Sequence, residues 1–131
     1  PPDHPRFYCS SKLTLSVTRR AMAQTGYCPS GRLFEAACCR VPVLSDTWPG
    51  LENFLEPGRE ILIAHATEEA LAAIDLPRGE LAEVGRRARE RTLEMHTADC
   101  RARELERIIY ETKVSSSESR VSSSKKPFEC R

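Results

Sequence analysis

The strongest constraint on this chain is its alternation between strand-like and helix-like periods, with each segment closed by a turn-former. In KLTLSVT, residues 12–18, Leu13, Leu15 and Val17 alternate with Thr14, Ser16 and Thr18, the period-two pattern of a strand. A polar-to-helical stretch, RRAMAQTG, follows and stops at Gly26. In YCPSGRLFEAACC, Pro29 and Ser30 signal a helix start and Leu33, Phe34, Ala36 and Ala37 form an apolar face, so a helix is expected from about Ser30 to Cys39. VPVLSD then has the short apolar character of a strand buried on both faces of a parallel sheet. Trp48-Pro49-Gly50 turns the chain into a short helix, GLENFL, and Pro57-Gly58 breaks it before a strand from Glu60 to Ala64. Thr67 is expected to cap TEEALAAI, with Glu68 and Glu69 in the first turn, where the helix dipole favours acids. Strand, helix, strand, helix, strand, helix predicts an α/β fold built on a parallel sheet.

Helices close the domain. From Arg78 to Met95, Leu81, Val84, Ala88 and Met95 fall at helical spacing with Arg86, Arg87, Arg89, Glu90 and Arg91 mostly on the solvated side. Thr97 reads as the cap of a last helix carrying Leu105, Ile108 and Ile109. The globular part is expected over residues 1–112. Residues 113–131, serine-rich with little to bury, are expected to be a disordered tail.

Composition narrows the function classes. The chain has 131 residues, 40% hydrophobic and 30% charged, enough for one domain with a modest core. A net charge of +1 provides no global field to draw the protein to nucleic acid or an anionic membrane. No apolar run approaches the roughly 20 residues of a membrane span, and PPDHPRFYC has neither the basic nor the apolar region of a signal peptide. A cytoplasmic protein is expected, and the opening Pro1-Pro2 suggests that residues upstream have been lost. The six cysteines include no C-x-x-C pair and the three histidines are scattered, so free, mostly buried thiols and no metal site are expected.

Chemistry concentrates in GYCPSGRLFEAACCRVPVLSDTWPGLENFLEPGREI. Ser30 and Gly31 at a helix start aim backbone N–H groups and the positive dipole end at one spot, where a phosphate would sit, and Arg32 adds a planar cationic fork. Glu35, one turn further on, can accept hydrogen bonds from a vicinal diol such as a ribose. This combination is the logic by which α/β folds hold nucleotides at the carboxyl ends of strands, although the same residues also make an ordinary capped helix. In the loop from Ser45 to Glu52, Gly50 would allow close backbone approach and Asp46 and Glu52 offer acceptors for sugar hydroxyls. Arg19 and Arg20 could contact phosphate as well. No nucleophile, base and orienter can be grouped, so catalytic residues are not assigned, and His65 reads as a surface loop residue.

The stretch from Leu13 to Ala64 resembles the C-terminal portion of group 1 glycosyltransferases, most closely the spore-maturation-protein-like branch. The matching positions are Gly26, Tyr27, Pro29, Arg32, Phe34, Glu35, Ala36, Asp46, Pro49, Gly50, Leu51, Glu52, Gly58 and Glu60. The resemblance implies the Rossmann-like C-terminal half-domain of a two-domain GT-B enzyme, which holds a nucleotide-sugar donor without a bound cofactor or metal. A missing N-terminal Rossmann-like domain would supply any catalytic base. Of the family's two donor-site glutamates spaced eight apart, the second maps onto Glu35, used on the donor ribose, and the first falls on Tyr27. Arg40 stands where relatives place glycine; if that turn needs positive φ, arginine is strained there by roughly 1 kcal/mol. The expected function is sugar transfer from a nucleotide diphosphate donor, with Ser30, Gly31 and Arg32 on the diphosphate, Glu35 on the ribose, and Asp46, Gly50 and Glu52 on the sugar side. The alternatives are a non-catalytic nucleotide- or sugar-binding module or truncated remnant, and a helical interaction protein.

Overall fold

A computed structural model describes the backbone of residues 3–122 and the side chains of residues 3–113. The chain divides into two units, residues 1–96 and 97–131. In the first, the elements run α1 (His4–Cys9), β1 (Thr14–Ser16), α2 (Arg20–Thr25), α3 (Gly31–Cys38), β2 (Val43–Ser45), a single 3-10 turn (Leu51–Asn53), β3 (Leu62–Ile63), α4 (Thr67–Asp75) and α5 (Arg78–Met95). The three strands form one parallel sheet in the order β1-β2-β3, pairing Leu15 with Leu44 and Leu44 with Leu62. This is the parallel α/β arrangement that the alternation predicts.

Side-chain alternation assigns the two faces of this sheet. Val43 and Ile61 join Leu33, Ala36 and Ala37 of α3 and Ala88 of α5 in the core. The stripe Leu81, Val84, Ala88 is buried as its spacing predicts, but Met95 is exposed and Thr92 takes the buried place one turn after Ala88. The helix axis comes close to the turn after α3, because a side chain at Gly85 would meet the Arg40 carbonyl oxygen at 2.2 Å. Trp48, Phe54, Phe34 and His96 close one end of the core, with neighbouring ring centroids 5.3 to 6.1 Å apart.

β1 reverses the expected burial. Thr14 and Ser16 face inward, while Leu15 and Val17 are 59% and 67% exposed. The hydroxyl of Ser45, also buried, donates to the Ser16 backbone carbonyl at 2.9 Å and so ties β2 to β1 inside this part of the core. GLENFL forms a 3-10 turn rather than an α-helix. Thr67 does not cap α4 but is its first helical residue, after Ala66; Glu69 instead accepts the His65 backbone N–H at 2.7 Å. The cysteines are not mostly buried: Cys9, Cys28 and Cys38 are exposed and Cys39 and Cys100 intermediate, the first four of these free thiols, and Cys130 lies outside the described residues.

In the second unit, Thr97 Oγ1 accepts the Cys100 N–H at 3.3 Å, the capping role its position predicts, and α6 runs Ala98–Ser122. Its backbone thus extends into the stretch expected to be a tail, and the remainder of that stretch, 123–131, lies outside the described residues. Leu105, Ile108, Ile109 and Tyr110 on α6 are exposed.

Candidate functional site

Parallel strands deliver their following loops to one end of the sheet, and three candidate segments meet there. Asp46, directly after β2, uses Oδ1 to accept the Thr18 N–H at 3.0 Å. This carboxylate therefore joins the exits of β1 and β2. Arg32, in the first turn of α3, donates from Nη1 to the Leu15 carbonyl at 3.3 Å, which sets the start of α3 beside β1. Ser30 is the N-cap of α3, in extended backbone, and its hydroxyl accepts the Arg32 N–H at 3.3 Å, as its position before the apolar face predicts.

Glu35 stands one turn along α3 with half its side chain exposed, not turned into the core. Its Oε1 lies 3.9 Å from where a side chain at Gly31 would begin, so the acid and the Gly31 backbone share a helix face. Its Oε2 accepts the Tyr8 hydroxyl at 3.0 Å, and His4 Nδ1 is 3.8 Å away. Burial raises the Tyr8 pKa, and the hydrogen bond and charge of Glu35 add to it. The neutral, donating phenol is thereby favoured.

The Gly50 loop is held from the side. Gly26 and Tyr27 both have positive φ, 69° and 53°, and the Tyr27 N–H donates to the Pro49 carbonyl at 2.8 Å. The Tyr27 ring covers Gly50, itself at φ 91°, closely enough that a side chain there would meet it at 2.4 Å. Glycine is therefore required both by conformation and by space. Glu52 is exposed in the first turn of the 3-10 segment. The structure thus groups Ser30, Gly31, Arg32 and Asp46 around the end of β1, with Glu35 a turn away, while Gly50 lies against the Tyr27 ring.

Sequence reasoning missed His4 and Tyr8, because HPRFYC was not read as a helix. The available signal was Pro5 near a helix start with one aromatic to bury. On the opposite sheet face from α3, a cavity of about 390 Å³ lies against Leu15, Val17, Leu44, Asp46 and His65, so His65 borders a concavity although it is exposed.

A parallel α/β layer with a rim of loops and a helix start at its strand ends is the class of structure these contacts define. A family model described as glycosyl transferase-like matches residues 1–107. The chain belongs to that family. No curated protein and no solved structure matches it significantly. Among the described residues, no helix is long and apolar enough to cross a membrane.

Proposed function

We propose that this chain is the donor-binding part of a GT-B glycosyltransferase of the spore-maturation-protein-like branch, acting in the cytoplasm on a nucleotide diphosphate sugar. The observation that carries the reading is the shared face of Gly31 and Glu35, which sets a carboxylate one turn from an amide-rich helix start. The diphosphate would lie at Ser30 and Gly31. Arg32 commits one donor to Leu15, and its guanidinium has five N–H donors, so others can meet phosphate oxygens. Glu35 would receive the ribose diol, with Tyr8 fixing the carboxylate from the other side. Asp46, Gly50 and Glu52 would form the sugar side, Asp46 as a rigid element because it is tied to Thr18. A second, N-terminal Rossmann-like domain would carry the acceptor and any catalytic base; neither a metal nor another cofactor is needed in this scheme, because helix dipole and guanidinium offset the diphosphate charge.

Calorimetric titration with a nucleoside diphosphate and its 2′,3′-dideoxy analogue tests this assignment. The unmodified chain should prefer the ribose form, and Glu35→Gln should weaken binding by about tenfold and abolish that preference. Equal affinities of Glu35→Gln and the unmodified chain for the ribose form would remove Glu35 from the site. Absence of nucleoside diphosphate binding to the unmodified chain would remove the donor-binding role itself.

A further inference from the structure

The helices α1 and α3 meet through neighbouring residues. Tyr8 and Cys9 are consecutive at the end of α1, and Glu35 and Cys39 are one turn apart on the α3 stripe facing them. Tyr8 reaches Glu35 at 3.0 Å and is buried in the same core cluster against which Cys39 packs. Cys9 and Cys39 both line a cavity of about 410 Å³ that also presents Lys12, Arg40 and Arg78. Burial pushes the Cys39 thiol up, and the Cys9 thiol pushes the same way.

We propose that Cys9 and Cys39 form a reversible intramolecular disulfide that locks α1 onto α3 and so holds Tyr8 against Glu35. The inference is independent of the donor-binding proposal. The oxidant is a small anionic peptide disulfide such as oxidised glutathione, whose carboxylates suit the cationic side chains of the cavity. The exposed Cys9 thiolate attacks one sulfur of that disulfide and expels the first glutathione as thiolate. Cys39, half-buried beside it, then attacks the Cys9 sulfur and expels the second. Two protein thiols are oxidised, one small disulfide is reduced to two thiols, and the two protons of the protein thiols end on the glutathione released. Cys38 is next to Cys39 in sequence but points to a different side of the helix and is exposed, which leaves Cys39 as the partner.

The full chain is equilibrated with oxidised glutathione, acid-quenched, alkylated in denaturant and digested with trypsin. Two of the six thiols should be lost to alkylation, and the peptides 7–12 and 33–40 should be joined. The join should persist in Cys38→Ser and vanish in Cys39→Ser and in Cys9→Ser, the last a change at an exposed position. A stable mixed disulfide on Cys9, a Cys9–Cys38 link, or full alkylation of both residues would overturn the proposal. In the oxidised protein, amide exchange over residues 4–9 should slow at least tenfold relative to the reduced protein. Equal rates would show that the bond, even if formed, does not lock α1.

Discussion

The two faces of the sheet are covered unequally. On one, Val43 and Ile61 meet Leu33, Ala36, Ala37 and Ala88, and the turn at Arg40 comes against Gly85 closely enough to exclude a methyl group. On the other, α4 contacts β3, while Leu15 of β1 and Val17 just beyond it remain mostly exposed. The larger apolar side chains of β1 are on the open face and its small hydroxyls on the covered one. Hydrophobicity in a strand therefore marks a face as apolar without identifying which face other elements occupy. Where α3 approaches β1, limited space favours Thr14 and Ser16, and the hydrogen bond from the Ser45 hydroxyl to the Ser16 backbone carbonyl offsets the cost of burying those two groups.

Substitutions can break or sharpen this contrast. Leu33→Ala should have the largest effect, a loss of about 3 kcal/mol in urea unfolding, because Leu33 is fully enclosed and a cavity would remain. A loss below about 1 kcal/mol would mean that the covered face is no better packed than the open one. Gly85→Ala should cost about 2 kcal/mol, since the new methyl would meet backbone atoms of Arg40 rather than a side chain able to move aside. A neutral result, read by the same unfolding curve, would show that α5 can slide away from the Arg40 turn.

Arg40→Gly acts on the same turn in the opposite direction. Arg40 has φ +59°, the left-handed backbone on which the expected strain depends. Left-handed backbone costs an L residue roughly 1–2 kcal/mol, and glycine's extra unfolded-state entropy cancels about half of the gain. A net stabilisation of about 0.5 kcal/mol is therefore expected, visible as a small rise in melting temperature. A destabilisation would mean that the arginine side chain contributes more to the turn than its backbone strain removes.

Much of this architecture was legible from local chemistry. The helix start at Ser30 and the extent of α5, Arg78–Met95, follow from a cap and a periodic stripe, which are local signals. The parallel order followed from alternation alone. Hidden features depended on partners distant in sequence. The cap of α4 was misread because Thr67 lies one residue too late, and the acceptor at that end is Glu69, reaching back to His65. The ring that lies across Gly50 was hidden too, because it belongs to Tyr27, a residue type rarely found at positive φ. At the candidate site, Ser30, Gly31, Arg32 and Glu35 were legible because they share one helix start. The Tyr8 contact was not, since it joins residues 27 positions apart.

The smallest expected effect tests the open face directly. Leu15→Thr exchanges an exposed leucine for a β-branched residue that suits a strand, at a position paired with Leu44. With most of the side chain already in water, little apolar area is returned to solvent, and the strand propensity gained offsets part of what is lost. Urea unfolding should move by no more than about 0.5 kcal/mol in either direction. Leu33→Ala on the covered face should exceed it several-fold. If Leu15→Thr instead cost about 2 kcal/mol, Leu15 would be buried in the native protein, and the apolar alternation of KLTLSVT would have marked a covered face after all.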